Sequence, residues 1–416
     1  MILLSFVLIN TILVLVFAVL TWAFYEFLRP VHRSSLTDQD LPFLSVVVPA
    51  RNEELKIERC LGSLLKQNYP RYEVVVIDDR STDATAEIIA RIAAGDKRLK
   101  FVQGTSLPPG WIGKCNALAH AVPYASGDWL LFTDADTCHN ESSLRDSVSH
   151  ALANQADLVS FVPLQELGSF WEKVVMPVLL GSFLSGDPFH TVNDPGSDRA
   201  YAYGQYILVR RPVYKAVGGH QAVRDEIVED HALGRVVKTA GYRILVADGH
   251  DLYRVRMYTN LESLTLGWTK NLYSLIECRP TNLLLILLLI NCVTLLPFVQ
   301  AALVTGIWLH GEPYVYLKEI ACLTALGLAA LFTTFRRASY HYYGVGPEHF
   351  WLLPLGSLAV TALYLQSAYL VVSGGQVNWK GRRYRVNTSK TIAPALRLDR
   401  ELEPVLDKAL AQESLD

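Results

Sequence analysis

The chain has 416 residues, 51% of them apolar, and a formal charge of −2. That length and apolar content allow a large core and two or three domains. A charge near zero gives no footing for nucleic acid. The six cysteines (Cys60, Cys115, Cys138, Cys278, Cys292 and Cys322) show no paired metal-ligand spacing, so free thiols in a reducing compartment are expected rather than zinc or disulfides.

Residues 1–25 carry no charge and are long enough to cross a bilayer as a helix. They lack the basic flank and small-residue cleavage site of a secretory signal, which predicts a retained anchor over 1–28. Three more apolar runs, 283–309, 315–335 and 350–372, are interrupted only by Lys318 and Glu319. They predict transmembrane helices over 280–373, followed by a polar tail over 374–416. Basic residues set orientation. Arg29, His32 and Arg33 after the first span, and Arg336 and Arg337 after the third, put residues 29–279 in the cytoplasm. Lys380, Arg382, Arg383 and Arg385 look cytoplasmic too, yet a fourth full crossing would put them outside. One run is then re-entrant or interfacial, a broken span is hidden, or the charge rule fails here.

Between the membrane segments, strand and helix patterns alternate, which predicts an α/β unit with a mostly parallel sheet. Strands are expected at 44–49, 72–78, 99–103, 129–133 and 157–162. Helices are expected at 56–66, 84–94 (with Asp83 as N-cap), 114–121 and 231–240. Residues 170–189 are apolar and aromatic but interrupted by Pro177, Gly181 and Gly186. They fit either buried core or an interfacial helix beside which a lipid slides.

Residues 129–136 read Trp-Leu-Leu-Phe-Thr-Asp-Ala-Asp, a strand apolar on both faces running into Asp134 and Asp136. Such strands lie inside parallel sheets, with ligands just beyond their carboxyl ends. Acidic clusters also close the first strand (Glu53, Glu54) and the second (Asp78, Asp79, Asp83). Each alone is explained by turn and capping chemistry. Three converging on one sheet edge repel unless a cation neutralises them. Mg²⁺ suits two carboxylates plus phosphate oxygens.

These stretches also carry a resemblance. Val46-Val47-Val48-Pro49-Ala50-Arg51-Asn52-Glu53-Glu54, Val76-Ile77-Asp78-Asp79-Arg80-Ser81-Thr82-Asp83-Ala84-Thr85 and Asp134-Ala135-Asp136 follow one another as in the family 2 glycosyltransferases. Ile227-Val228-Glu229-Asp230 resembles that family's later Glu-Asp motif. The resemblance covers about 44–270. It implies a GT-A (nucleotide-diphospho-sugar transferase) fold, Rossmann-like α/β, with a donor half at 44–160 and an acceptor half at 161–270. Carried over residue by residue, it puts Pro49, Arg51, Glu53, Asp78 and Asp79 at the donor. Asp134 and Asp136 hold a divalent cation (Mg²⁺ or Mn²⁺) and the diphosphate, and Asp230 is the general base, with helix capping as its competing role.

Where processive members carry Gln-x-x-Arg-Trp, this chain reads Leu264-Thr265-Leu266-Gly267-Trp268-Thr269-Lys270-Asn271. Trp268 stacks on acceptor or nucleotide and Lys270 replaces the missing Arg, or both are an interfacial anchor. Gly113-Lys114 entering a helix offers donors and a cation to phosphate. With the stretch 107–118, the tail Asn378-Trp379-Lys380-Gly381-Arg382-Arg383-Tyr384 is similar to the bacterial membrane-bound branch that glycosylates carotenoids and hopanoid-type lipids, and to ceramide glucosyltransferases. The resemblance implies an inverting transfer of a hexose, glucose from UDP-glucose, to a lipid hydroxyl at the bacterial inner membrane. The alternatives are a polysaccharide synthase of the same family and a catalytically inactive nucleotide-binding scaffold.

Overall fold

The computed structural model describes all residues except 29, 32–33, 185–188, 312–313, 375, 380–381 and 386–416. Arg29, His32, Arg33, Lys380 and most of the expected polar tail therefore lie outside the described residues. Between the first helix and the later apolar helices, ten strands of the described residues form two sheets: β1 (Leu44–Ala50), β2 (Tyr72–Asp78), β3 (Leu99–Gln103), β4 (Trp129–Phe132), β5 (Thr137–His139), β6 (Leu158–Val162), β7 (Leu164–Gln165), β8 (Ile207–Arg210), β9 (Ile244–Asp248) and β10 (Tyr253–Val255). The main sheet has the order β3-β2-β1-β4-β8-β6-β9, and β5-β10-β7 make a small second one.

The hydrophobic pattern explains this sheet. Alternate residues of one strand point to opposite faces. Val47, Val75, Ile77, Leu130 and Phe132 enter one core, beside Ala117 and Leu118 of helix Gly113–Ala121. Val46, Val48, Val74, Val76 and Leu131 enter the other, with Ile57, Leu61 and Leu64 of helix Ile57–Leu64. Strands covered on both faces have no polar side, hence their largely apolar runs.

The expected strands and helices of the donor half form within a residue or two. Helix Thr85–Gly95 begins just after Asp83, whose carboxylate accepts from the Thr85 backbone N–H at 3.0 Å, although the N-cap position itself is Ala84. β8 is an addition. It runs antiparallel to both β4 and β6 in the middle of an otherwise parallel sheet. Its three-residue apolar run has too few periods to distinguish strand from buried helix. Residues 170–184 resolve toward core, and Gly186 lies outside the described residues. Helix Phe170–Leu184 carries Pro177 inside it and buries Val174, Val175, Met176 and Leu179.

Among the described residues, three helices are long and apolar enough to cross a bilayer: Ile2–Phe24, Leu317–Tyr343 and Pro347–Val372. The apolar run at 283–309 forms two helices, Pro280–Thr294 and Leu296–Leu309, in line with the broken span among the expected alternatives. The break falls at Leu295, just before Pro297, whose ring removes a backbone donor and clashes with the preceding turn. Helix Leu261–Leu275 meets Pro280–Thr294 at a 119° bend. Glu277 (φ 60°) and Cys278 (φ 53°) make that corner in the left-handed region, which costs side-chain-bearing residues energy unless packing fixes it. All six cysteines are free thiols.

Two histidines are sealed under the strands that carry the acidic residues. His139 lies within 3.2 Å of the Thr133 and Thr137 hydroxyls, and His220 is 2.9 Å from the Tyr214 hydroxyl. Burial pushes both down to about 3 from an ordinary value of 6.5. The native state therefore stays neutral at these sites between pH 6.5 and 3 while the unfolded chain takes up protons. Stability is flat above that window and falls with pH inside it. We expect a loss of roughly 2 kcal/mol per histidine at about pH 5, read as a falling apparent Tm in detergent. His139→Gln should flatten that fall by about half, and an unchanged slope would refute its buried neutral state.

Candidate active site

A cavity of about 260 Å³ opens at the carboxyl ends of β1 and β4. Its walls include Pro49, Arg51, Glu53, Asp79, Lys114, Asp134, Asp136, Glu229, Asp230 and Lys270. Ten of the residues singled out from the sequence thus meet in one place. Asp78 and Trp268 do not line it. Asp78 is buried behind the wall, accepting from the Ser81 backbone and from Gln103 at 2.9 Å. Trp268 is buried against Tyr258 and Phe183, with its indole N–H 3.4 Å from the Met176 sulfur. The stacking expected of it on acceptor or nucleotide is therefore corrected to a packing role.

Each wall has a local cause. β1 ends in Arg51, whose guanidinium donates to the carbonyls of Asp79 and Arg80, tying the loops after β1 and β2 together. Asn52 (φ 52°) and Arg80 (φ 58°) are left-handed there. Asn52 compensates by accepting from Thr82 N–H at 2.9 Å, and its own N–H donates to the Ser81 hydroxyl at 3.0 Å. Asn tolerates this backbone region better than most residues.

Lys114 stands one residue inside helix Gly113–Ala121. Its ammonium lies 2.8 Å from Asp134 and 2.7 Å from Glu229. Burial opposes its charge, but the fields of Asp134, Glu229 and Asp230 outweigh that and hold it well above the ordinary lysine range. Asp136 faces Lys56 at 3.7 Å, and Lys56 also donates to the Met257 carbonyl at 3.0 Å. The Asp230 carboxylate accepts two backbone N–H groups, from Gly204 at 2.8 Å and His231 at 2.9 Å. Helix Glu229–Thr239 starts at this pair, so the carboxylates also face its positive end.

Gly204 and Lys56 were not found from sequence. A Cβ at Gly204 would lie 2.9 Å from the Asp230 carboxylate and 3.0 Å from the Lys114 ammonium. A glycine between Tyr203 and Gln205, directly before an apolar run, was the available signal. Among the described lining residues, six carboxylates face three cations. That excess suits a cationic ligand. No group of three or more His, Cys, Asp or Glu among the described residues could hold a metal by itself. A cation completing its shell with phosphate oxygens and water needs only one or two carboxylates, and Asp134 and Asp136 fit that.

Residues 45–218 match the family model described as Glycosyl transferase family 2. These residues are a family 2 glycosyltransferase domain. The chain is 28% identical over 350 residues to a 4,4'-diaponeurosporenoate glycosyltransferase of Staphylococcus aureus (strain USA300), covering 83% of this chain and 88% of that protein. The same-named protein of strain MRSA252 matches at 28% over 362 residues, with the same coverage. A mannosyltransferase from Pyrobaculum calidifontis, solved with GDP-Man and Mn²⁺, superposes with a TM-score of 0.50 at 20% identity, covering 86% of this chain and 99% of that one. This last likeness concerns the fold, a GT-A-like mixed α/β sheet.

The glycosyltransferase domain should be sensitive to a single methyl group. Gly204→Ala pushes Asp230 and Lys114 off their positions, and misplacement of that size is expected to lower transfer by roughly 100-fold. Thermal unfolding should show a folded variant. Full activity in a folded Gly204→Ala protein would refute the close approach.

Proposed function

We propose that this glycosyltransferase moves a hexose, glucose from UDP-glucose, to a lipid acceptor with inversion, at the cytoplasmic face of a bacterial inner membrane. The observation that carries this reading is the Lys114 bridge. It joins Asp134 of the donor half to Glu229, beside Asp230 of the acceptor half, across one acidic cavity. A donor and an acceptor bound on either side of it would meet there.

In this reading Pro49, Arg51, Glu53 and Asp79 cradle the nucleoside, with Asp78 shaping the β2 end from behind. Asp134 and Asp136 would hold a divalent cation, which as a Lewis acid stabilises the departing diphosphate. Lys114 and Lys270 add fixed positive charge on either side. Asp230 takes the proton of the acceptor hydroxyl as its oxygen attacks the anomeric carbon. Its two backbone donors fix the carboxylate's direction, and Glu229 stays turned to Lys114.

The name of the S. aureus relatives favours a second acceptor, an apolar carboxylic acid. Such an acid is already ionised at neutral pH and needs no base, so Asp230 would then only orient it. Asp230→Asn separates the two. With a hydroxyl acceptor, transfer should fall by about 10²–10⁴ while nucleotide-sugar binding stays within a few-fold. With a carboxylate acceptor, most transfer should survive. Equal loss of transfer and donor binding would remove Asp230 from the chemistry altogether.

The whole reading is tested with purified protein, a panel of radiolabelled nucleotide sugars, Mg²⁺ or Mn²⁺ and total lipid extract. Label in the organic phase supports lipid glycosylation and identifies the sugar. High-molecular-weight aqueous label would mean a polysaccharide synthase, and binding without transfer a scaffold. In the same assay Asp136→Ala should abolish the metal dependence of donor binding, measured by calorimetry with and without chelator. An unaltered metal titration would exclude Asp136 as a ligand.

A further inference from the structure

We infer that the last apolar helix, Leu353–Val372, does not cross the membrane. It lies along the leaflet that faces the catalytic unit and dips one apolar face into it. Its composition qualifies it as a span, and the observations against crossing are contacts at both of its ends. Near its start, Gly356 packs so closely on helix Phe170–Leu184 that a Cβ would sit 2.3 Å from the Val174 carbonyl. Near its end, the Ser367 hydroxyl donates to the Thr269 carbonyl at 2.7 Å and accepts from the Tyr273 N–H at 3.0 Å. Thr269 and Tyr273 belong to helix Leu261–Leu275, which also contributes Gly267, Lys270 and Asn271 to the active-site wall. A helix tied to the catalytic unit at both ends has no end left for the far side of the bilayer. The strand Gln376–Trp379, just past it, packs against the same helix Leu261–Leu275.

The burial pattern gives the helix two faces. Gly356, Val360, Leu363, Ser367 and Val371 are buried, at helical spacing, against helices Phe170–Leu184, Leu261–Leu275 and Pro280–Thr294, whose Asn291 also bonds Ser357 and Thr361. Leu355, Leu358, Leu365, Tyr369 and Val372 are exposed on the opposite side, Tyr369 and Val372 by more than 70%. An exposed apolar stripe this long, continuous with the preceding candidate span, fits a lipid leaflet.

The other helices close the count. The Thr11 hydroxyl donates to the Leu323 carbonyl, and Glu26 pairs with Arg337 at 2.6 Å. Helices Ile2–Phe27 and Leu317–Ala338 therefore run side by side in the same direction. Parallel neighbours require one crossing back between them, and the broken pair Pro280–Thr294 and Leu296–Leu309 supplies it. With three crossings and one in-plane helix, the strands Gln376–Trp379 and Arg382–Arg385 stay on the catalytic side. The basic residues of the tail then no longer conflict with the charge rule.

This inference is independent of the sugar and acceptor. It is tested in full-length protein by labelling single cysteines with a membrane-impermeant maleimide in sealed vesicles of one orientation. Cys138, Cys278, Cys292 and Cys322 are first replaced by serine, leaving the buried Cys60 and Cys115. Lys97→Cys reports the catalytic unit, Val315→Cys the loop before helix Leu317–Ala338, and Ser373→Cys the end of the last helix. Labelling of Lys97→Cys and Ser373→Cys in the same vesicles, with Val315→Cys reached only after permeabilisation or in the opposite orientation, is the expected result. Ser373→Cys labelling together with Val315→Cys, or all three labelling together, would overturn it. Detergent-solubilised samples, in which all three must react, control for folding and reactivity.

Discussion

The active site depends on one charge, the Lys114 ammonium. It holds Asp134 at 2.8 Å and Glu229 at 2.7 Å, and the space where Gly204 passes is set by it and by Asp230. Three chain segments far apart in sequence are thereby fixed to one another: the end of β4, the start of helix Gly113–Ala121 and the start of helix Glu229–Thr239. Neutralising it would leave two partly buried carboxylates facing each other without compensation, which is costly in a low-dielectric cleft. The cluster therefore acts as a unit. Its acidity is tolerable because Lys114 is present, and the remaining excess of negative charge leaves work for a further cation.

The sheet that presents this site shares its core with the membrane helices. Val47 and Phe132 belong to the same buried cluster as Val14 and Phe24 of the first helix and Leu331 and Phe335 of helix Leu317–Ala338. The Tyr342 hydroxyl donates to Asp248 at the end of β9, adding a polar tie at the same junction. Interiors at this packing density transmit displacement rather than absorb it. The cavity and the candidate spans are thus packed into one continuous core.

Much of this was legible in the sequence because period and chemistry agreed. The runs at 44–50, 72–78 and 129–132 are largely apolar on both faces, Ser45 and Glu73 apart, because both faces are covered, and carboxylates follow close on each, so the strands and the site edge could be read together. β8 was not legible, because its three apolar residues, Ile207, Leu208 and Val209, fit several structures. Gly204 was not legible either, since its importance comes from Asp230 and Lys114, residues distant in sequence that only folding brings near. The 283–309 run left its break open, as one of several alternatives. Its composition is uniform, and only the single Pro297 distinguishes one helix from two.

The stretch 264–271 shows how helical geometry sorts adjacent residues into different roles. In helix Leu261–Leu275, Gly267, Lys270 and Asn271 share the face turned to the cavity, being three and four residues apart. Trp268, one residue along, points about a quarter-turn away and packs under Tyr258, which itself fills the notch left by Gly267. A tryptophan held there supports the cavity wall from behind and has no reach to a growing chain. The candidate spans also sort their charges by position. Within 280–309 there is no charged residue, and in helix Leu317–Ala338 the charges Lys318, Glu319, Arg336 and Arg337 sit at the two ends.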